Sequence, residues 1–131
     1  MAEPVVDAVA VASRNLTRSV AFYARLGFRF PRLGTEDRHV EAERSAGGAR
    51  LMIDDAAMLE GLWGAPPRPG NHAGFAVRLA TARDVDEAVA ALKAGGDKVE
   101  TEAFDAPWGQ RYAVVRDPDG YAVDLFAPLG G

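Results

Sequence analysis

The first half of the chain changes from a strand-like to a helical pattern of hydrophobic residues. Residues 5–13, VVDAVAVAS, form a nearly continuous apolar run with the length of a buried strand. Asn15 follows, and the next apolar residues, in LTRSVAFYARLG, recur at helical spacing up to a glycine. Because asparagine caps the starts of helices and glycine ends them, this pattern predicts a helix. FRFPRL, residues 28–33, then predicts a strand at a sheet edge, where Pro31 is tolerated.

The remainder of the first half predicts a β-hairpin followed by a short helical turn. Residues 39–55, HVEAERSAGGARLMIDD, place two strand-like runs on either side of a Gly47–Gly48 turn, which is typical of a hairpin. MLEGLW, residues 58–63, indicates a short helical turn. The proline- and glycine-rich stretch GAPPRPG at residues 64–70 indicates a linker.

The same order of elements returns after the linker. HAGFAVRL predicts a strand, and TARDVDEAVAALKAGG predicts a helix whose start carries a capping box from Thr81 to Asp84. KVETEAF alternates like a strand, and RYAVVRD and YAVDLF predict a second hairpin about the DPDG turn. The chain is therefore predicted to be a single α+β domain, residues 1–131, made of two βαβββ modules at about 4–60 and 71–128.

Composition narrows the classes of function. With 131 residues, 48% of them hydrophobic and 26% charged, the chain has the size and balance of one soluble globular domain. The net charge of −4 and the scattered basic residues argue against a nucleic-acid partner, and no apolar run is long enough to span a membrane. The N-terminal residues lack the pattern of a signal peptide, so we expect a cytoplasmic location. Zero cysteines exclude thiolate chemistry, and the only histidines are His39 and His72.

Three segments of the chain resemble a known superfamily. They are NLTRSVAFYARLGF in the first half, and RDVDEAVAALKAGG and RDPDGYAVDLF in the second. Together they resemble the glyoxalase / bleomycin-resistance / extradiol-dioxygenase proteins, also called vicinal oxygen chelate proteins, over nearly the whole chain. The resemblance implies that each module curls a mixed sheet into half of a cup, and that two facing modules form one concave site. In the small drug-binding members the facing modules come from different subunits, so the resemblance implies a homodimer.

Enzymes of this superfamily hold a divalent metal ion at four corners of the cup. The resemblance matches these corners to Ala8, Met52, His72 and Asp124. A catalytic zinc or iron ion takes three or more nitrogen or oxygen ligands, whereas alanine has no donor atom and methionine offers a soft thioether. Asp7 points to the other face of its strand unless a bulge intervenes. We therefore expect no cofactor, and a binding protein rather than an enzyme.

Two enzymatic alternatives stay open. One is a divalent metal ion held by His72 and Asp124, in a glyoxalase-like lyase or a dioxygenase. The other is a metal-free enzyme in which one of these two residues acts as a general base. The sequence names no substrate for either alternative.

The C-terminal segment WGQRYAVVRDPDGYAVDLFAPL is similar to the antibiotic-binding members of the superfamily, the bleomycin- and mitomycin-binding resistance proteins. In the bleomycin-type proteins a tryptophan of a PWG loop stacks on a flat part of the drug, and an aromatic side chain of the other subunit covers the opposite face. The resemblance assigns the first role to Trp108 and the second to His39. It implies that the chain sequesters a planar drug, because aromatic rings favour stacking on one another. An anchoring role for Trp108 in its own loop is the alternative.

Further candidate ligand contacts accompany these two residues. Asp124 is an acid on an otherwise apolar strand, and a buried carboxylate needs a partner such as His72, which is expected to line the cup, Arg111 or the ligand. Tyr112 begins the strand after the loop, where it offers a hydroxyl to the cup or packs in the core. Trp63 is expected to cover the core or an interface, with a ligand contact as the alternative. Met52 is expected to form a wall of the core or the pocket.

Overall fold

A computed structural model describes residues 6–44, 46–68 and 74–130. The chain divides into two compact units, Met1–Arg68 and Pro69–Gly131, and the boundary lies within the predicted linker. The first unit contains β1 (Ala8–Ser13), α1 (Leu16–Arg25), β2 (His39–Glu41), β3 (Arg50–Asp55) and α2 (Ala56–Trp63). The second contains β4 (Phe75–Arg78), α3 (Ala82–Ala94), β5 (Lys98–Ala106), β6 (Gln110–Arg116) and β7 (Ala122–Pro128). This is the predicted α+β class, with two mixed sheets of three and four strands.

The first unit packs α1 against a three-stranded sheet of order β1-β3-β2. β1 runs parallel to β3, and β2 runs antiparallel to it. The core contains Val11 of β1, Ile53 of β3, and Phe22 and Tyr23 of α1, whose rings meet edge to face at 4.9 Å. The start of α1 confirms the sequence prediction, because the Asn15 side chain accepts a hydrogen bond from the backbone N–H of Arg18 at 3.2 Å.

The prediction of a strand over residues 28–33 is wrong. This segment has no regular secondary structure, although the carbonyl of Arg29 accepts one backbone hydrogen bond from the N–H of Glu43 at 2.8 Å. Pro31 has no N–H to donate, so a ladder cannot continue through it. The first unit therefore has three strands where the second has four.

The segment that was predicted to be a short helical turn, residues 58–63, is part of a complete helix, α2. α2 begins after Asp55, whose carboxylate accepts the N–H of Met58 at 3.0 Å, and it ends at Gly64, where φ is +80°. None of its residues is buried, and the side chains of Leu62 and Trp63 are largely exposed. The helix therefore adds an apolar surface rather than a core element.

The second unit packs α3 against one face of a four-stranded sheet of order β4-β7-β6-β5. β4 and β7 are parallel, and the other neighbours are antiparallel. The predicted capping box is confirmed, since the Thr81 hydroxyl accepts the N–H of Asp84 at 3.1 Å and the Asp84 carboxylate accepts the N–H of Thr81 at 3.0 Å. The largest fully buried side chains of this unit are Val85, Leu92, Val115, Val123 and Leu125.

Alternation along β6 and β7 leaves the other face of this sheet uncovered by α3. We call it the open face, and its members include Ala76, Arg78, Phe104, Tyr112, Val114, Arg116, Asp124 and Phe126. The second predicted hairpin is confirmed: the carboxylate of Asp117 holds its turn by accepting the N–H groups of Asp119 and Tyr121, each at 2.9 Å. Within the described ranges, no helix has the length and apolar character needed to cross a membrane.

Candidate functional site

Three aromatic side chains form a cluster where the β5–β6 hairpin turns. Trp108 lies in the turn, and Phe104 and Tyr112 are cross-strand partners on β5 and β6. The ring centroids of Trp108 and Tyr112 are 5.3 Å apart, those of Phe104 and Tyr112 are 6.0 Å apart, and those of Phe104 and Trp108 are 6.4 Å apart. All three pairs meet edge to face, which is a favoured geometry for aromatic rings.

The indole of Trp108 is exposed yet held in place. The residue is 58% exposed, and Phe104 beside it is 38% exposed. The indole N–H donates to the side-chain oxygen of Gln110 at 2.9 Å, so the polar edge of the ring is satisfied within the hairpin. Gly109 completes the turn at a φ of +89°, a conformation that side-chain-bearing residues rarely adopt. The cluster therefore presents an oriented aromatic surface to solvent.

Tyr112 connects this cluster to Asp124 on the neighbouring strand β7. The two residues are diagonal neighbours on the open face, because Asp124 pairs with Val114. Burial raises the pKa of the Tyr112 hydroxyl, and the hydrogen bond and charge of Asp124 raise it further. The neutral hydroxyl donates to the carboxylate, so Tyr112 is the partner that the sequence required for this acid.

Arg111 does not join Tyr112 and Asp124. It lies on the helix-facing side of β6, where its guanidinium donates to Asp86 of α3 at 2.9 Å and to Asp105 of β5 at 3.0 Å. Successive residues of a strand point to opposite faces, so a side chain next to Tyr112 in sequence is directed away from it. The structure thus gives Arg111 a role in joining α3 to the sheet.

In the first unit, His39 is held between two carboxylates. Its Nδ1 lies 2.6 Å from Oδ1 of Asp54, and its Nε2 lies 2.8 Å from Oε2 of Glu41. The hydrogen bond to Asp54 raises the pKa of His39, and the bond to Glu41 raises it further. A protonated imidazole donates to both carboxylates, and its side chain is 42% exposed. Its assignment as a second stacking surface stays a prediction.

A chain of charges extends from His39 along this sheet. Arg50 donates to Glu41 at 2.9 Å and to Asp7 at 2.7 Å, and Arg44 also donates to Asp7. These two guanidinium groups lower the pKa of Asp7. The carboxylate of Asp7 is therefore engaged by two arginines.

Strand registers refine the positions that correspond to metal corners. Met52 pairs with Ala10 in the first unit, and Asp124 pairs with Ala76 in the second, at equivalent points of parallel strand pairs. Two residues earlier on the opening strands lie Ala8 and Gly74. The register therefore matches Ala8 with Gly74. The resemblance seen in the sequence had instead matched Ala8 with His72, two positions earlier.

Among the described residues, the corner positions offer one carboxylate, Asp124, which is too few donors for a divalent metal ion. His72 lies outside the described residues. Ala8 and Gly74 carry no donor atom, and Met52 offers only its thioether. A Cβ at Gly74 would lie 3.2 Å from the carbonyl oxygen of Ala122, so this position has little room for a side chain. No group of three His, Asp or Glu side chains in the described part of the chain is arranged to hold a metal.

One cavity, of about 280 Å³, lies in the first unit, and none of the predicted ligand contacts lines it. It is lined by Leu16, Thr17, Leu33, Gly34, Thr35, Asp37, Arg38 and Asp55. Its two carboxylates already accept backbone N–H groups, Asp37 from Gly34 and Asp55 from Met58. Since these polar groups are satisfied within the protein, the aromatic cluster of the second unit is the stronger candidate site.

Sequence reasoning found Trp108, Tyr112 and Asp124 but missed Phe104 and Gln110. Both missed residues lie on the strands next to the PWG turn. Treating β5 and β6 as a hairpin about this turn would have placed them near Trp108. Trp63 lies on the exposed surface of α2, with 63% of the residue accessible, and its predicted role is not decided by this position.

The fold defines the class of this protein. The model of the Glyoxalase/Bleomycin resistance protein/Dioxygenase superfamily matches residues 5–125, and the chain belongs to that superfamily. This confirms the resemblance seen in the sequence. No curated protein matches the chain.

Several solved structures are similar to it. A glyoxalase/bleomycin resistance protein/dioxygenase from Nocardioides is 25% identical, with a TM-score of 0.70, and the match covers 100% of this chain and 87% of that one. TioX from Micromonospora sp. ML1 is 28% identical, with a TM-score of 0.62 and coverage of 96% and 100%. A lactoylglutathione lyase from Agrobacterium tumefaciens is 18% identical, with a TM-score of 0.65 and coverage of 95% and 94%, and this likeness concerns the fold alone.

Proposed function

We propose that this chain is a small-molecule-binding protein that holds a planar aromatic compound against Trp108 without a metal ion. The observation that carries the proposal is the indole of Trp108, which is 58% exposed and yet fixed by two aromatic neighbours and by Gln110. A ring whose orientation is already set loses little further freedom when a ligand stacks on it. Stacking would also remove apolar surface of both rings from water.

The polar groups beside the cluster support a ligand of mixed character. The Tyr112 hydroxyl and the Asp124 carboxylate lie on the same open face as the aromatic rings. Ligand sites combine apolar surface with a few placed polar groups that fix orientation. A flat compound with a hydrogen-bonding substituent satisfies both features.

The chemistry of the corner positions supports binding without a metal. Ala8, Gly74 and Met52 supply no nitrogen or oxygen side-chain donor. Metal analysis of the purified protein tests this part of the proposal. Zinc, nickel or iron bound in stoichiometric amount, and lost in the variants His72→Ala and Asp124→Ala, would establish the metal-dependent lyase or dioxygenase instead.

Tryptophan fluorescence tests the binding proposal directly. The variant Trp63→Phe leaves Trp108 as the single tryptophan of the chain. We expect saturable quenching of its emission by metal-free bleomycin, by mitomycin C or by another flat aromatic compound, and no change in affinity when EDTA is added. An emission spectrum that stays unchanged up to high micromolar concentration of every compound would contradict the proposal.

The biological role that we propose is sequestration of such a compound, as in antibiotic resistance. Cells that express the protein should tolerate a higher concentration of the drug that quenches Trp108 emission, and cells that express Trp108→Ala should not. If cells with either protein tolerated the drug equally, sequestration would be contradicted, and the protein would bind its ligand for another purpose.

A homodimer in the cytoplasm completes the proposal. The exposed side chains of Leu62 and Trp63 on α2 support association, because apolar surface of this kind favours a partner. Light scattering at micromolar concentration should give twice the chain mass of 13.9 kDa, and cell fractionation should find the protein with soluble cytoplasmic markers. A monomer would contradict the shared site between subunits.

A further inference from the structure

A row of four side chains crosses the open face of the second sheet, with one residue from each strand. Arg78 of β4 pairs with Phe126 of β7, Phe126 pairs with Tyr112 of β6, and Tyr112 pairs with Phe104 of β5. Cross-strand partners share a face, so a cation begins this row and three aromatic side chains continue it. Trp108 lies beside the far end of the row, in contact with Phe104 and Tyr112.

Arg78 is the available cation of this face. The residue is exposed, and in the parts of the chain that the structure describes it has no ion-pair partner. Arg116, on the same face, is engaged by Glu100 at 3.6 Å and by the carbonyl of Gly120 at 3.1 Å. Arg111 is engaged on the opposite face. A guanidinium group without a partner on the ligand-facing side is suited to bind a carboxylate through two parallel hydrogen bonds.

Asp124 is a carboxylate that lies next to this row and limits where an anion can bind. Asp124 pairs with Ala76, one row along from Arg78, and it accepts the hydrogen bond of Tyr112. Its negative charge lies diagonally from both Arg78 and Tyr112, and only at the β4 end of the row does a cation, Arg78, offset it. An anionic group is therefore favoured beside Arg78, with its aromatic part directed toward Tyr112 and Trp108.

The spacing of strands sets the size of the compound. Neighbouring strands lie about 4.8 Å apart, so Arg78 and Tyr112, which are two strands apart, are separated by about 10 Å along the row. This distance suits an aromatic acid with two fused rings. A single-ring acid would leave part of the aromatic row uncovered.

We infer that the ligand is an aromatic carboxylate, whose acid group binds Arg78 and whose flat rings lie on the aromatic row. This inference rests on the proposed function and adds the charge, the orientation and the approximate length of the ligand. It also gives Arg78 the role of selecting anionic over neutral compounds of the same shape.

Calorimetry with two matched compounds tests the inference. 2-Naphthoate and 2-naphthamide share a flat two-ring shape and differ in charge. We expect the wild-type protein to bind the naphthoate about tenfold more tightly, which is the order of one charge-assisted hydrogen-bonded pair. In Arg78→Gln the affinity for naphthoate should fall to that for naphthamide, while the affinity for naphthamide stays unchanged. Arg78→Lys should keep part of the preference for naphthoate, because lysine keeps the positive charge but cannot donate two parallel hydrogen bonds to the carboxylate.

A matched control variant is Arg83→Gln on α3. Arg83 pairs with Glu87, and its side chain is 86% exposed, so the variant removes the same charge outside the open face. It should leave both affinities unchanged. Far-UV circular dichroism of each variant checks that the fold is retained, which we expect because both arginines are exposed.

The outcomes separate this inference from the proposed function. Equal binding of both compounds by the wild-type protein, or an unchanged preference in Arg78→Gln, would overturn the inference and leave the binding function standing. Absence of binding for both compounds, together with unchanged Trp108 emission with every planar compound, would overturn both.

Discussion

Replacing Trp108 with alanine should weaken ligand binding while affecting stability only moderately. The residue is 58% exposed, so roughly 40% of its surface is removed from water in the folded protein. For an aromatic side chain of about 250 Å² this is about 100 Å², which corresponds to about 2.5 kcal/mol at 25 cal/mol per Å². Alanine keeps some of this contact, and the unfolded chain already buries part of the surface, so we expect the free energy of unfolding to fall by about 1–2 kcal/mol.

The same variant should also lower the affinity for the ligand. Stacking of a flat ring on an aromatic side chain contributes about 1–3 kcal/mol, so the affinity for 2-naphthoate should fall by roughly 5- to 150-fold in Trp108→Ala. Urea unfolding followed by circular dichroism measures the stability, and calorimetry measures the affinity, since the fluorescent reporter is itself removed. Trp108→Phe should recover most of the affinity because it restores an aromatic face.

Trp63→Ala is the matched control for this prediction. Trp63 is 63% exposed, so the variant removes a similarly exposed indole from the other unit of the chain. Its ligand affinity should stay at the wild-type level when it is measured at a protein concentration at which light scattering gives the variant the same mass as the wild-type protein. The reasoning would be refuted if Trp108→Ala kept full affinity, or if it lost more than about 3 kcal/mol of stability, as a buried core aromatic does.

The remaining predictions concern the core, a helix start and one histidine. Leu125→Ala should lower the free energy of unfolding by about 2–5 kcal/mol in urea titrations, because this side chain is fully buried; a loss below 1 kcal/mol would contradict the packing described here. Thr81→Ala should cost about 1 kcal/mol in the same assay, since the first turn of α3 loses its cap. The NMR titration midpoint of His39, assigned with His72→Gln, should lie above the ordinary value of about 6.5, because Asp54 and Glu41 stabilise the protonated ring. The stability from this raised pKa is complete below the unfolded-state pKa and is lost as pH rises through the folded-state pKa, and His39→Gln should remove that dependence.

Helix positions were predictable from the sequence because their signals are local. Asn15, Thr81 and Asp84 cap their helices within a few residues, and the apolar stripe of each helix is contained in one segment. The strand over residues 28–33 failed for the opposite reason. A strand needs a partner from another segment, and Pro31 has no N–H to donate to such a partner.

The candidate site was predictable in part. The PWG turn marked Trp108, and the isolated acid on an apolar strand marked Asp124, since both are unusual in their local surroundings. The expectation that Arg111 meets Asp124 was wrong, because alternation with Tyr112 directs Arg111 to the other face, where it bonds Asp86 and Asp105.

The residue of the second unit that is equivalent to Ala8 could be found only from the pairing register of the strands, not by counting residues. A histidine near the start of the second half is a natural landmark in the sequence, whereas the pairing of Ala76 with Asp124 brings Gly74 to the equivalent position. The cation at Arg78 was missed for a related reason. Only the ladder pairs of β4 with β7, and of β7 with β6, show that it shares a row with Phe126 and Tyr112.

A crystal structure of the protein with 2-naphthoate, grown with EDTA, tests the central claim most directly. The account predicts electron density for the flat rings on the open face beside Trp108 and Tyr112, with the carboxylate at Arg78 and no metal ion between ligand and protein. Density in the cavity lined by Thr17 and Arg38, or an ordered open face without ligand at saturating concentration, would contradict it.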